Sequence, residues 1–382
     1  MDEIRIAVVG LGSRALRGWI PILQKLRGYR ITALCEQIPA LQNRAFRQRP
    51  ELQGIKMYTH YEDVLADPNV DAIALTVRAR DQGAMAAQGL EAGKHVHAEV
   101  PMAHSIEDCR RIIKAVQSSG KHYLLGEQTR YWGFVDAWRE IVQSGQIGKP
   151  TYCEGQYIGF YGTDWYFRDP ETGEFCPVEK LPDNPNARPT WFMEMPPIHY
   201  LPHELSPMLK VLDDRVVEVT AMSTGPQSYS FPEIQQPDLQ VALMKTEKDT
   251  ILRMAAGFTQ KVPSARGHHW YHVMGTRGSI EWKRAARDLP KMWRADAQMF
   301  DMAEVDWRWE RTDAHPEAKG SGHGDADVYP HIHFRDAILE GKPLEFDVFQ
   351  AVDTAAPAIL AAESIAQGSI PLKVPDFRRE MQ

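Results

Sequence analysis

Cysteine, charge of one sign and long apolar runs are all scarce in this chain of 382 residues. The four cysteines include no CxxC pair, which argues against a disulfide framework or a zinc knuckle and predicts free thiols at Cys35, Cys109, Cys153 and Cys176. The net charge is −7 and the basic clusters are short, so we expect no nucleic-acid partner. No apolar run reaches the roughly 18 residues of a membrane helix and the start has no leader pattern, so we expect no membrane partner and a cytoplasmic protein.

The first third of the chain alternates strand patterns with helix patterns. Ile4–Val9 is a β-branched run that ends at Gly10, and a helix-compatible stretch follows from about Arg14 to Leu26. Further strands are predicted at Ile31–Cys35, Ile73–Val77 and His95–Ala98. This alternation predicts an α/β Rossmann domain with a parallel, doubly wound sheet over residues 1–126.

After residue 126 the pattern changes to that of an α+β domain, which we expect to span residues 127–382. Strands joined by turns are predicted at Val216–Met222, Asp238–Met244, Ile251–Ala256 and His269–Gly275. Residues 311–327 read as a loop, and residues 332–339 and 348–365 as helices. We expect an open, mostly antiparallel sheet in this second domain.

A glycine-rich turn between the first strand and the first helix predicts a dinucleotide site. The segment Gly10-Leu11-Gly12-Ser13-Arg14-Ala15 matches GxGxxG/A, with alanine in the third place. The first glycine permits the turn, the second lets backbone amides approach a pyrophosphate, and the small third residue allows close packing. Alone, such a motif is weak support for a cofactor.

Glu36 strengthens the cofactor prediction because it ends the second strand, where a carboxylate can bind the ribose diol and repel a 2′-phosphate. NAD is therefore favoured over NADP, although Arg14 nearby could tolerate a phosphate, and a solvated glutamate is the plainer alternative. Residues after later strands complete the expected cofactor site: Thr76, Val77, Arg78, Glu99, Val100 and Gln128.

Several further segments resemble the glucose-fructose oxidoreductase/inositol dehydrogenase/MocA (Gfo/Idh/MocA) family over nearly the whole chain. They are Tyr61–Leu65, Asp67–Ala72, Glu91–Val96 and Gly148–Pro150, in addition to the glycine turn. The resemblance implies NAD(P), a sugar or polyol in the cleft between the domains, and homodimers or homotetramers formed through the open sheet face.

One departure from that family concerns its usual Glu-Lys-Pro segment, in which the lysine serves the hydroxyl being oxidised. Here the segment is Glu99-Val100-Pro101, and valine carries no proton. A plain dehydrogenase therefore requires a general base from another position.

Glu-Val-Pro is similar to the NAD-dependent glycosidases of glycoside hydrolase family 109, as are Gly126–Gln128, Tyr152–Ile158, Tyr200–Pro207 and the tail segments Gly322–Asp325, Phe346–Val348 and Val374–Phe377. The resemblance carries over Glu127, Tyr157 and His203 as catalytic candidates. The departures are Gln128 in place of asparagine, and Glu204 and Ser206 in place of two glycines. They leave the substrate open.

The resemblance also implies a cycle of oxidation at sugar C3, elimination of the C1 aglycone, addition of water and re-reduction. Tyr157 would act as the C2 base and His203 at the C3 hydroxyl, or the reverse, with Glu127 near the nicotinamide or the substrate hydroxyls. Each has a plainer alternative: Tyr157 as packing, His203 as a core histidine, and Glu127 as a partner of Arg130. The expected substrate-binding residues are Arg130, Trp165, Arg168, His199 and Tyr200.

Other functions stay open at this point. An ordinary NAD-dependent sugar or polyol dehydrogenase with its base at His203 is the main alternative, and a sugar-sensing protein without turnover is the second.

A group of aromatic residues could stack on sugars, anchor loops or form an oligomer interface: Tyr157, Phe160, Tyr161, Trp165, Tyr166, Phe167, Trp191 and Phe192. An acidic sugar could be bound by Arg168, Arg188, Arg266, His268 or His269. We expect no metal, because Pro202 disfavours one helix face for His199 and His203.

Overall fold

The computed structural model describes residues 2–263 and 267–381. A six-stranded parallel sheet forms its N-terminal part, with strand order β3-β2-β1-β4-β5-β6. The strands are β1 (Ile4–Val9), β2 (Tyr29–Cys35), β3 (Lys56–Tyr58), β4 (Ala72–Leu75), β5 (His95–Ala98) and β6 (Tyr123–Leu125). This order is that of a dinucleotide-binding Rossmann sheet, with its crevice beside β1 where the order reverses.

Helices connect these strands and cover the sheet on both faces. They are α1 (Ile20–Lys25), α2 (Pro39–Gln48), α3 (Tyr61–Ala66), α4 (Ala79–Glu91) and α5 (Ile106–Ser119), with a π-helix at Ala15–Trp19 and a 3₁₀ turn at Pro50–Leu52. Local chemistry sets their ends: Ser105 caps α5 by accepting a hydrogen bond from the Asp108 amide, and Gly120 ends it at φ +66°.

A nine-stranded mixed sheet organises the second part of the chain. Its order is β16-β15-β14-β13-β7-β12-β11-β10-β17, and its pairs are antiparallel except for β7 with β12. The strands are β7 (Pro150–Ile158), β10 (Val216–Ser223), β11 (Gln240–Thr246), β12 (Ile251–Gly257), β13 (His269–Gly275), β14 (Gly278–Glu281), β15 (Lys291–Arg294), β16 (Ala303–Glu304) and β17 (Leu372–Lys373), while β8 (Phe167–Arg168) and β9 (Arg188–Pro189) pair separately.

The helices of this part are α6 (Gly133–Gln143), α7 (Trp191–Glu194), α8 (Pro202–Leu212), α9 (Val328–Glu340), α10 (Val348–Ala366) and α11 (Phe377–Glu380). Shorter 3₁₀ helices lie at Thr129–Tyr131, Val178–Asp183, Pro197–Tyr200 and Ala295–Ala297. Helices α9 and α10 return to pack against the first sheet, and the Tyr29 hydroxyl donates to the His331 carbonyl at 2.6 Å. Helices α9 and α10 therefore cover part of the Rossmann sheet.

The predicted fold class is confirmed, and most predicted strands lie within two residues of their observed bounds. One difference is the first helix, where the stretch from Arg14 begins as a π-helix before α1. Within the described residues, no helix is long and apolar enough to cross a membrane.

Candidate active site

A large cleft of about 1110 Å³ runs along the carboxyl ends of β1, β2, β4 and β5 and continues to β7 and α8. Its walls therefore come from both sheets. All but one of the predicted cofactor residues line it: Gly10, Gly12, Ser13, Arg14, Glu36, Thr76, Val77, Arg78, Glu99, Val100 and Gln128. Leu11 is the exception, since its side chain is fully buried in the core.

The glycine turn has the shape that a dinucleotide requires. Gly10 has φ +87°, and a Cβ there would lie 2.5 Å from the Thr76 carbonyl oxygen, so the close approach of β1 and β4 demands glycine. A Cβ on Gly12 would meet nothing within 4 Å, which leaves a free cradle facing the cleft. Ala15 is fully buried behind the turn. These residues would hold a pyrophosphate.

Glu36 lies in the cleft wall at the end of β2 with its carboxylate fixed by the backbone. Oε2 accepts a hydrogen bond from the Leu11 amide at 3.0 Å, and Oε1 accepts one from the Ile38 amide at 2.9 Å. Each oxygen keeps a lone pair for a ribose hydroxyl. The position is the one from which a carboxylate selects NAD over NADP.

Arg14 is held by two carboxylates and is not free to bind a phosphate. Its Nε donates to Glu99 at 2.6 Å, and its two terminal nitrogens donate to Asp327 at 3.1 and 3.2 Å. Asp327 is buried and also contacts Nδ1 of His323 at 2.9 Å. Burial would lower the pKa of Arg14, but Glu99 and Asp327 outweigh that effect and raise it.

Three candidates for catalysis meet at the second wall of the cleft. Tyr157 on β7 and His203 on α8 line it, with ring centroids 5.5 Å apart. Glu127, directly after β6, lies behind His203 with no exposed surface, and its Oε2 is 2.7 Å from His203 Nδ1. Glu127 is therefore the partner of His203 and not of Arg130.

Thr129 fixes the Glu127 carboxylate for this contact. Its amide and its hydroxyl both donate to Glu127 Oε1, at 2.8 and 2.6 Å. Burial alone would raise the pKa of Glu127, but His203 and the Thr129 hydrogen bonds lower it overall, so the carboxylate stays ionised. An ionised carboxylate at Nδ1 orients the imidazole and leaves Nε2 for proton transfer.

Tyr157 lies between two imidazoles, with His203 at its edge and His269 stacked on its face. Burial raises its pKa, a hydrogen bond with Tyr161 lowers it, and Glu204 and Glu127 raise it, so that the pKa is about 12 overall. Tyr157 is therefore a phenol at neutral pH in this environment.

The predicted substrate residues divide into two sets. Trp165, Arg168 and Tyr200 line the cleft, whereas Arg130 and His199 are absent from its lining in the described part of the chain. Arg130 is buried, donating to Glu345 twice at 3.1 Å and to the Ser206 hydroxyl at 3.1 Å.

The other two basic candidates are also displaced from a sugar subsite. His199, on the 3₁₀ helix before α8, packs edge-on against His104 with ring centroids 4.5 Å apart. The Arg168 guanidinium lies 4.5 Å from the centroid of the Phe175 ring. Burial and Arg44 lower its pKa and Glu36 raises it, so that the pKa is about 10 overall. It belongs to the Glu36 end of the cleft.

Of the residues considered for an acidic sugar, Arg188 lines the cleft and Arg266 lies outside the described residues. His268 packs on Tyr161, and Nδ1 of His269 lies 2.6 Å from Oε1 of Glu204.

Five residues of the aromatic group line the cleft: Tyr157, Tyr161, Trp165, Trp191 and Phe192. The described residues contain no group of three or more His, Cys, Asp or Glu placed to hold a metal ion.

Sequence reasoning missed Thr129, Asp327 and the Glu204–His269 pair. Their roles depend on partners far away in sequence, as with Arg14 and Asp327, which are 313 positions apart. The resemblance marked Glu204 only as a departure from glycine, which was the one available signal.

The strand order, glycine cradle and Glu36 define a two-domain protein that binds a dinucleotide. Comparison with known proteins agrees: residues 4–127 match the family described as "Oxidoreductase family, NAD-binding Rossmann fold", and residues 220–381 match "Glycosyl hydrolase 109, C-terminal domain". Residues 4–127 therefore form an NAD-binding domain of the Gfo/Idh/MocA type, and residues 220–381 are similar to the C-terminal domain of glycosyl hydrolase 109.

Relatives match along the whole chain. It is 24% identical to a "Glycosyl hydrolase family 109 protein" from Solibacter usitatus, over 98% of this chain and 88% of that protein. It is 24% identical to an "Alpha-N-acetylgalactosaminidase" from Bacteroides fragilis, over 99% of this chain and 93% of that protein. The solved structure of the WlbA dehydrogenase from Bordetella pertussis, in complex with NADH and UDP-GlcNAcA, has a TM-score of 0.71 at 17% identity and covers 98% and 99% of the two chains.

Proposed function

We propose that this protein is an NAD-dependent glycosidase that hydrolyses a glycoside through transient oxidation at the sugar C3. The observation that carries the proposal is the Glu127–His203 pair beside Tyr157, in the same cleft as Val100. The His203 imidazole, with the Glu127 carboxylate at its Nδ1, serves as the base because Val100 cannot accept a proton. Tyr157 is the second proton-transfer group that elimination needs.

The cofactor would be held by the Gly10–Ala15 turn and Glu36. When bound there, NAD supplies a reversible acceptor for the hydrogen at sugar C3. His203 takes the proton of the C3 hydroxyl at Nε2, while Glu127 holds Nδ1 and stabilises the imidazolium that forms.

The C3 carbonyl makes the C2 proton acidic. Tyr157, a phenol in the free site, first releases its phenolic proton to water, and its phenolate oxygen then accepts the C2 proton. The electron pair of the C2–H bond becomes the C1=C2 bond, and the C1–O bond breaks, with its electrons leaving on the aglycone oxygen. Water then adds its hydroxide to C1 and gives its proton to the aglycone oxygen, while C2 regains its proton from Tyr157. The C3 carbonyl would return to the alcohol with the hydrogen held by bound NAD and the proton held by His203. Bonds and electrons balance as hydrolysis, without net oxidation.

The aromatic side of the cleft supports a sugar ligand. Tyr161, Trp165, Trp191 and Phe258 line it together with Tyr200. Aromatic faces pack against the C–H faces of sugar rings, and the cleft has room for both a dinucleotide and a second ligand.

The test is to incubate the purified protein and NAD⁺ with p-nitrophenyl glycosides, beginning with the N-acetyl-α-galactosaminide that the name of one relative indicates. Nitrophenol and NADH are recorded together. Many turnovers of nitrophenol release without accumulated NADH are expected. NADH formed in step with sugar, with the glycoside intact, would replace this proposal with the dehydrogenase alternative.

His203→Gln tests the assignment of the base in the same assay. Loss of nitrophenol release with NAD⁺ binding retained is expected, because the glutamine side chain cannot take up the proton of the C3 hydroxyl. Full activity in this variant would remove His203 from the mechanism and leave the fold assignment unchanged.

We also propose a homodimer or homotetramer, formed through the open face of the nine-stranded sheet, in the cytoplasm. Four exposed apolar residues share that face: Met222, Leu243, Ile251 and Met274. Light scattering should give a multiple of the 43.4 kDa chain mass, and Leu243→Glu should shift it towards the monomer.

A further inference from the structure

A second carboxylate–imidazole pair lies directly behind Tyr157 and has no place in the proposed chemistry. Glu204 is the residue after His203 on α8, but it turns away from the cleft and is fully buried. Its Oε1 lies 2.6 Å from Nδ1 of His269, which begins β13. Neither Glu204 nor His269 is among the described residues that line the cleft.

The pair reaches the cleft through Tyr157. The His269 imidazole stacks on the Tyr157 ring with centroids 4.2 Å apart and planes 18° apart. His203 packs against the edge of the same ring, at 86°. One face and one edge of the tyrosine are thus each occupied by an imidazole that has its own carboxylate.

The surrounding chain makes room for this arrangement. Gly155 lies two residues before Tyr157 on β7, and a Cβ there would be 3.0 Å from Glu204 Cβ and 2.7 Å from Met254 Sδ. The Tyr271 hydroxyl, which donates to the His203 carbonyl at 3.2 Å, also contacts the Glu204 carboxyl group. A well-packed pair of apolar residues would stabilise such a site at least as well as buried polar groups, so stability alone does not explain the pair.

We propose that Glu204 and His269 are positioning residues for Tyr157, which hold its ring by stacking and present the positive end of a hydrogen-bonded pair to its phenolate. This role rests on the proposed function, because only a Tyr157 that exchanges protons needs it. Glu204 by itself opposes a phenolate. Paired with His269 it forms a neutral unit whose electropositive part is the ring next to Tyr157.

The proton shared by the pair gives the unit two forms. Burial raises the pKa of Glu204 and lowers that of His269, so both groups favour the uncharged form while Tyr157 is a phenol. When Tyr157 becomes a phenolate, the O–H bond of Glu204 breaks, an N–H bond forms at His269 Nδ1, and the pair keeps its net charge. The charged and titratable groups that face the pair are Glu127, Tyr157, His203, His268, Tyr271 and His323.

The experiment compares the full-length protein with Glu204→Leu/His269→Phe, which keeps the volume and the aromatic stack but removes the polar pair. Glu204→Gln keeps a hydrogen-bond acceptor for His269 without a carboxylate. His97→Phe is the matched control, since it removes a buried imidazole from the core of the first sheet, where His97 packs on Phe334. Each is also made with Tyr157→3-fluorotyrosine, whose ¹⁹F signal reports its titration without any substrate.

In the double variant we expect a thermal midpoint no lower than that of the unchanged protein and a ¹⁹F titration midpoint raised by about one pH unit or more. On the glycoside that is hydrolysed, kcat should fall about tenfold or more with KM nearly constant, and His97→Phe should change neither. Glu204→Gln should lie between the two.

An unchanged ¹⁹F midpoint in the double variant overturns the proposal, as does a rise in KM with kcat retained. If the unchanged protein hydrolyses no glycoside, the proposed function fails by that observation, and the ¹⁹F midpoint still decides whether the pair acts on Tyr157.

Discussion

At the scale of single residues, the side chain that can accept a proton is at position 203 and not at position 100. Val100 lines the cleft where the resembled dehydrogenases have lysine, and it offers only an apolar surface. His203, which lines the same cleft, has an ionised carboxylate at Nδ1. His203 lies beside Tyr157, so the cleft holds two adjacent groups that can exchange protons with one ligand.

Glu127→Gln should lower kcat roughly 10²-fold with KM changed by less than about twofold, because a neutral amide stabilises the His203 imidazolium poorly. Steady-state kinetics on the hydrolysed glycoside measures both constants. Glu140→Gln, on the exposed side of α6, is the matched control and should behave as the unchanged protein. A change confined to KM would mean that Glu127 serves binding alone.

Much of the residue-level site could be predicted because it follows strand ends and recognisable segments. Glu36, Tyr157 and His203 all lie in the cleft wall, as the sequence indicated. Arg130 and His199 illustrate the limit, since their neighbours along the chain are in the site while their side chains point to Glu345 and His104. Side-chain direction depends on the turn between two short helices, which composition does not specify.

At the scale of elements, the first turn of α8 sends consecutive polar side chains in different directions. His203 faces the cleft, Glu204 faces β13, and Ser206 accepts a hydrogen bond from Arg130. Pro202 at the first helical position suits this start, since its missing N–H has no partner to lose. The helix thereby positions the base and anchors the 3₁₀ helix that follows Glu127.

Glu345 completes that anchor, since it contacts Arg130 at 3.1 Å and Lys210 of α8 at 3.3 Å. Burial would raise its pKa, but Arg130 and Lys210 lower it to about 2. A lowered pKa in the folded state gives stability that is present above the unfolded value, near 4.5, and is lost as pH falls towards 2.

Glu345→Gln should therefore lower the free energy of unfolding by about 2 kcal/mol at pH 7, because Arg130 loses its carboxylate partner and Lys210 loses one of two. The difference from the unchanged protein should shrink as pH falls from about 4.5 towards 2. Urea unfolding at several pH values measures this. A difference that does not vary with pH would mean that packing, and not charge, is what the substitution removes.

Element types were largely predictable, whereas pairings were not. The bounds of β1, β5 and β13 match their predicted ranges, because each is a compact run of apolar or aromatic residues. The short strands β3 and β14 to β17 have two to four residues each. An alternation of polar and apolar residues cannot be recognised in so short a segment. The parallel pairing of β7 with β12 joins residues about 100 positions apart, which no local pattern encodes.

At the scale of the whole molecule, the cleft depends on contacts between the ends of the chain. Arg14, in the first helical turn after the glycines, is clamped by Glu99 and by Asp327, which directly precedes α9. Helices α9 and α10 then pack on the Rossmann sheet. The C-terminal segment therefore holds the cofactor turn in place while Gly322 and His323 form part of the cleft wall.

Arg14→Met should weaken NAD⁺ binding at least about tenfold, a free-energy difference of about 1.4 kcal/mol. Two carboxylates would lose their cation beside the pyrophosphate cradle, and both their repulsion of the ligand and a looser turn act in the same direction. Titration calorimetry with NAD⁺ measures the change.

Arg17→Met is the matched control, since Arg17 is an exposed arginine that lines the same cleft. This control separates the effect of a lost positive charge from the effect of two carboxylates that have lost their cation. Equal losses in both variants would assign the effect to net charge, whereas a loss confined to Arg14 would mean that the clamp between the two ends of the chain shapes the cofactor site.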